Sequence, residues 1–192
     1  EVKIREALTL AEHQAVEIQN LAEVVATLPA ERSFCLISED VAQIDERHIA
    51  RFAALQQLFD TEIIGAPLRS QNGRLLRGAF TVEQSGALRY SFVGTRRNYR
   101  GYFDVARLPR NVYALSGDIV LVKAGLFHEL IAVESLRERM FSSIPALMIT
   151  LALLVRRRGG RVVIVPWLSG VSVIEEAYPY PARLTKEECS SL

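Results

Sequence analysis

Three consecutive oxygen-bearing side chains, Ser38-Glu39-Asp40, close the apolar run Ser33-Phe34-Cys35-Leu36-Ile37. The run reads as a buried strand with a polar tip. A second polar turn, Ser116-Gly117-Asp118, leads into the apolar stretch Ile119 to Val122. Ser116 lacks the Gly-x-Ser-x-Gly frame of a nucleophile elbow, which argues against a serine hydrolase. Asp118 reads from its surroundings as a turn carboxylate. The segment Arg96-Arg97-Asn98-Tyr99-Arg100-Gly101-Tyr102 mixes guanidinium groups with aromatic rings. Such a mixture suits sugars, phosphates or bases, or is simply a solvated loop. His13, His48 and His128 are far apart in helical patterns and form no ligand spacing. Cys35 and Cys189 show neither zinc nor redox spacing and read as free thiols of a reducing compartment.

The chain that must position these groups has 192 residues, of which 49% are hydrophobic and 23% charged. That length suits a single domain able to bury roughly 70% of its unfolded surface without disulfide staples. Global disorder, a collagen-like repeat and a coiled-coil rod are excluded by composition. The formal net charge of +1 argues against bulk binding of nucleic acid, and no nucleic-acid fold motif is present. The basic residues are 20 Arg and 3 Lys, spread over the whole chain. No basic start is followed by an apolar core, so no signal peptide is expected, and the chain reads as a piece of a longer protein.

Apolar residues recur at helical spacing from Ile4 to Val25, predicting a helix over 4–28 that Pro29 stops. A second helix is predicted from Asp45 to Phe59, with Asp45 or a neighbour as its cap. Strands are expected at 62–68, 74–82 and 88–93, with turns at Asn72-Gly73 and Gln84-Ser85-Gly86, a meander of short strands. Residues 94–110 read as a loop. Strands follow at 111–115 and 119–122, then a helix from Leu126 to Arg139. The most apolar run, Met140 to Val155, reaches 16 residues, short of the ~20 that a membrane span needs. It reads as a buried helix over 144–155, with an interfacial membrane helix as the alternative. Pro145 suits its first turn, Arg156 to Arg158 its last, and Gly159 or Gly160 its end. A strand over 161–165 closes at Pro166, and the tail from Tyr178 is expected to be loosely ordered. Helices and strands thus alternate, giving an α/β arrangement around a mixed sheet.

The order of three stretches resembles the family 2 glycosyltransferases. The first is Phe34 to Val41 with Ile63 to Leu68 and Asn72 to Gly78. The second is Arg110 to Lys123, running on through Leu126-Phe127-His128-Glu129-Leu130. The third is Leu154 to Pro166. Together they cover residues 33–172, flanked by an N-terminal helix within 1–32 and a tail at 173–192. The resemblance implies a single GT-A-like domain, α/β, with a mixed sheet, flanking helices and an inserted meander. It implies a hexosyltransferase-type enzyme that moves a sugar from a nucleotide-sugar donor to a glycan or lipid-linked acceptor in polysaccharide assembly. Such an enzyme works in the cytoplasm or at the inner face of the membrane. The implied cofactor is Mg²⁺ or Mn²⁺, which stabilises the departing diphosphate. Asp40 and Glu39 would hold that metal, and Ser38, Ser116 and Asp118 would line the donor or acceptor site.

The sequence also departs from that family's pattern. Ser38 replaces the first carboxylate of the acidic motif. The acidic pair that supplies the general base falls at Leu147 and Met148, which cannot accept a proton. Glu134 and Glu138 are the nearby acids left as substitutes. The histidine expected after the final strand falls near Ser172. Too few residues precede Ser33 for the family's nucleotide-binding strands, so the chain is either a fragment or a member that has lost that half. The catalytic residues are thus unassigned. An inactive scaffold or protein-interaction module is the alternative reading.

Overall fold

A computed structural model describes residues 2–6, 14–16, 20–44, 46–83, 85–133 and 143–175, with the backbone alone at 2–6, 14–16 and 46. A seven-stranded sheet runs in the order β10 (Arg110–Asn111), β13 (Val162–Ile164), β5 (Ile63–Gly65), β12 (Ile119–Lys123), β3 (Ser33–Ser38), β1 (Val2–Glu6), β2 (Gln14–Val16). Strand β13 is parallel to β5, and β12 is antiparallel to both β5 and β3. The strands β3, β5 and β13 therefore point the same way, and their carboxyl ends share one edge of the sheet.

The strands alternate apolar residues to both faces, as a sheet covered on two sides requires. Phe34, Leu36, Ile63, Val120, Val122, Val162 and Ile164 face one core. Helices α1 (Leu21–Ala26), α3 (Ala124–Ile131) and α4 (Ile144–Arg157) supply the rest of that core, through residues such as Val25, Phe127 and Leu151. Cys35, Ile37, Ile64, Ile119, Leu121 and Val163 face the other, where Ile49 and Phe52 of α2 (Glu46–Leu58) pack. The result is an α/β layering around a mixed sheet.

Two small sheets flank the large one. One is ordered β4 (Val41–Gln43), β14 (Gly170–Ser172), β6 (Leu68–Arg69), β7 (Leu75–Arg77). The other is ordered β11 (Ala114–Leu115), β8 (Ala79–Val82), β9 (Leu88–Tyr90). The expected strand over 74–82 is thus broken at Gly78, where the chain passes from one small sheet to the other. The Asn72-Gly73 turn closes the β6–β7 hairpin, with Gly73 at φ +79° and its N–H donating to the Ser70 carbonyl at 2.9 Å. Such a φ favours glycine.

The expected helix over 4–28 is corrected by the structure. Helix α1 occupies only 21–26, and 2–6 and 14–16 are strands. Strand β1 pairs with β3 from Val2 opposite Ser38 to Glu6 opposite Phe34. Without that pairing, the buried strand β3 would keep a row of unpaired backbone groups along one side. Main-chain demand therefore overrides the helical spacing of the side chains.

The apolar run forms α4 much as its punctuation predicts. The Ser143 hydroxyl accepts from the Ala146 N–H at 3.2 Å, and Pro145 sits in the first turn. Arg156 and Arg157 occupy the last turn, and Gly159 follows at φ +72°. Arg156 Nη2 also donates to the Val112 carbonyl at 2.9 Å, tying the helix end to the chain leading into β11. Among the described residues, no helix is long and apolar enough to cross a membrane. His13, Asp45, Cys189, Glu134 and Glu138 lie outside the described residues, as does the tail from Tyr178. Cys35 is fully buried, and His48 and His128 are half-buried on α2 and α3.

Candidate functional site

The antiparallel pairing of β3 with β12 sets Ile37 opposite Ile119. The polar tip after β3 and the turn before β12 therefore meet at one sheet edge. The Ser38 N–H donates to the Asp118 carbonyl at 2.9 Å, and its hydroxyl donates to Asp118 Oδ1 at 3.2 Å. The β6–β7 hairpin delivers a third group, Arg77, to the same place. Its Nη2 lies 2.5 Å from Asp40 Oδ2 and 2.8 Å from Asp118 Oδ1. One guanidinium thus holds two carboxylates.

Strand β14 props the acidic tip from behind. The Val173 N–H donates to the Asp40 carbonyl at 2.9 Å, and the Ser172 hydroxyl donates to it at 3.2 Å. Ser172, at the position where a histidine was expected, is fully buried. It works as a backbone brace.

A cavity of about 260 Å³ opens beside these groups, lined by Ser38, Glu39, Asp40, Arg77, Tyr90, Ser116 and Asp118. The start of α4, Ser143 to Pro145, closes its far side. The structure therefore brings together all five residues singled out from sequence: Ser38, Glu39, Asp40, Ser116 and Asp118. Sequence reasoning missed Arg77 and Tyr90. The available signal was a lone Arg77 inside the apolar stretch Leu75-Leu76 to Ala79-Phe80, since a cation there needs a buried anion.

Asp118 is 4% exposed, and its Oδ2 has no hydrogen-bond partner. Burial pushes its carboxyl above the ordinary value. Arg77 and the Ser38 hydroxyl oppose that rise, and the negative charge of Asp40 adds to it. The net direction is up, because burial outweighs the opposing charge and hydrogen bonds. Burial pushes Arg77 down, but Asp118 and Asp40 carry it above its ordinary value.

The raised Asp118 pKa has a signed consequence. The folded state holds the proton more tightly than the unfolded one. The stability this gives is fully present below the unfolded value of 3.8 and is lost as pH rises through the folded value. In urea titrations from about pH 4 to about pH 8, the chain should lose stability relative to Asp118→Asn as pH increases. A difference independent of pH would mean that Asp118 ionises in the fold as it does in water.

The implied divalent cation can be tested against this geometry. Asp40 and Glu39 would hold it, and Arg77 places a positive charge on Asp40 and on Asp118 beside them. Among the described residues, no three His, Cys, Asp or Glu side chains gather into a cation site. Arg77 thus supplies the positive charge between Asp40 and Asp118, and no chemistry is routed through a metal. Leu147 and Met148 are fully buried in the core under the sheet, so that helix face offers the site no base. No protein-family model matches the chain, and no curated protein matches it.

Proposed function

We propose that the chain is a glycosyltransferase-like domain of the GT-A type. It recognises a sugar at the Asp40–Arg77–Asp118 pocket and does not itself carry out transfer. The observation that carries this reading is the Asp118 oxygen left without a hydrogen-bond partner in the lining of a polar cavity. A buried acceptor without a donor costs about 1–3 kcal/mol, which a sugar hydroxyl would relieve. Tyr90 gives the lining an aromatic ring for a pyranose face, and Arg77 and Glu39 offer further polar contacts. The cavity lies at the carboxyl end of β3, on the sheet edge to which β5 and β13 also point, the usual ligand edge of an α/β sheet. Its volume is near the lower end of ligand pockets, which suits one sugar ring better than a whole nucleotide-sugar.

The order of the three stretches supports the family reading. The apolar residues where a base should stand support loss of transfer. The scaffold alternative shares that loss, but it gives the unpartnered Asp118 oxygen no role.

Thermal unfolding with free hexoses, nucleoside diphosphates and nucleotide-sugars, each with and without Mn²⁺, tests the proposal. A ligand at 100 times its dissociation constant adds about 2.7 kcal/mol. The expected result is a shift with a sugar-bearing ligand, unaffected by Mn²⁺, with no transfer product. No shift with any sugar would leave the scaffold reading. A Mn²⁺-dependent shift with turnover would overturn the loss of transfer.

A further inference from the structure

The basic, aromatic loop over 94–110 takes no part in the Asp118 pocket. It closes over a second cavity of about 480 Å³, on the side of the molecule where β6 and the end of β13 lie. Three guanidinium groups line that cavity: Arg69 from β6, and Arg97 and Arg107 from the loop. Arg69 is only 7% exposed. Its Nη1 donates to the Gly73 carbonyl at 3.2 Å, and its Nε has no partner. Among the described residues, none of the three arginines meets a carboxylate within ion-pair distance. The single carboxylate of the lining, Asp104, faces Arg100, whose Nε lies 3.8 Å from its Oδ1.

A buried cation with a second cation beside it is an unfavourable arrangement for the empty pocket. Burial, and then the charge of Arg97, push Arg69 below its ordinary pKa. A guanidinium nevertheless keeps its proton in proteins, so the pocket stays positive. The arrangement calls for an anion. Three guanidinium groups on one cavity match a phosphate, with its several acceptor oxygens, better than a single carboxylate. The remaining walls are apolar: Leu108 and Trp167 are both large and exposed at the cavity. A cavity of this size also has room for more than the anion itself.

We infer that the cavity between Arg69, Arg97, Arg107 and Trp167 is a binding site for a phosphate-bearing ligand whose apolar or ring portion lies against Trp167 and Leu108. The shared chemistry is a phosphate group next to an apolar body. Its source is either a free phosphorylated compound or a lipid phosphate headgroup. The site does not depend on the sugar reading, because it shares no lining residue with the Asp118 pocket.

Trp167 is the only tryptophan of the chain, so its fluorescence reports on this cavity directly. The probes are inorganic pyrophosphate, a nucleoside monophosphate, and phosphatidylcholine vesicles with and without phosphatidic acid, all at one ionic strength. Sulfate at that ionic strength is the control. The expected result is a saturable emission change with at least one phosphate probe, stronger than any seen with sulfate. Arg97→Gln combined with Arg107→Gln should weaken it about tenfold or more, or about 1.4 kcal/mol. Both residues are exposed, so this variant should fold. Arg89→Gln, on the β8–β9 hairpin in an ion pair with Glu83, should leave binding unchanged. A response to the soluble phosphates alone identifies a free compound as the source, and a response confined to phosphatidic acid vesicles identifies a lipid headgroup. No saturable change with any probe, a change equal to that with sulfate, or a change untouched by the double substitution would overturn the site.

Discussion

Arg77→Met is expected to cost about 3–5 kcal/mol of folding stability, the range for removing one partner of a buried ion pair. Its guanidinium is the shared counter-charge of Asp40 and Asp118. The side chains of Asp40 and Asp118 are 30% and 5% exposed. Water can therefore replace the lost contact at Asp40, at modest cost. It cannot do so at Asp118, where burial already pushes the carboxyl up. Most of the loss should come from Asp118, which would have to take up a proton or pull water into the core. Two measurements check this reasoning. Urea unfolding at neutral pH should show the loss, and it should shrink as the pH is lowered and Asp118 is protonated. The double variant Arg77→Met with Asp118→Asn should recover a large part of it, because no charge is then stranded. A loss of under about 1 kcal/mol, typical of surface pairs, would mean that solvent reaches the triad freely.

The same three residues show where sequence reading succeeds and where it stops. The two polar tips were legible because each flanks a run too apolar to lie anywhere but in a core: Phe34 to Ile37 and Ile119 to Val122. Local pattern was enough to find Ser38 to Asp40 and Ser116 to Asp118. That the two tips touch was not legible from local pattern. It follows from the antiparallel register of β3 with β12, which joins Ser38 to a residue 80 positions away. Arg77 was hidden for the same reason, since Asp40 is 37 positions distant. In a short strand such as Leu75 to Arg77, one arginine carries no periodic signal.

Helix α4 was legible because its signals are local: Pro145, an unbroken apolar run, then arginines and glycine. The N-terminal strands were hidden because the spacing from Ile4 onward fits a helix, whereas the deciding contact is the backbone of β3. The second cavity was half legible. The loop from Arg96 to Tyr102 was marked by its composition, but Arg69 and Trp167 reach it only through the paths of β6 and β13.

Gly117→Ala should be nearly as damaging as loss of Arg77, for two separable reasons. Gly117 has φ +92°, where an L side chain costs about 1–2 kcal/mol. A Cβ there would also stand 2.2 Å from Ile144 Cγ2 and 3.0 Å from Met148 Cγ. Relieving such overlap in a packed core costs roughly 1–3 kcal/mol more. The two effects together predict a loss of about 2–5 kcal/mol. The steric part has a specific partner, so it can be measured by a double-mutant cycle. Ile144→Ala removes the offending methyl, and should make Gly117→Ala less costly by about 1–2 kcal/mol than it is in the parent chain. The strain of the positive φ should remain in both backgrounds. An additive pair would show that the turn yields without pressing on α4. The close approach also explains how the pocket keeps its shape. Glycine lets the first turn of α4 settle directly on the Ser116–Asp118 turn. Ser143 to Pro145 thereby form the far wall of the cavity, while Leu147 and Met148 sink into the core. Pushing that helix outward would widen the pocket and loosen Asp118 together, so Gly117→Ala should weaken ligand binding even in the fraction of molecules that remain folded. Calorimetric ligand titration at a temperature well below unfolding reads that second effect apart from the first.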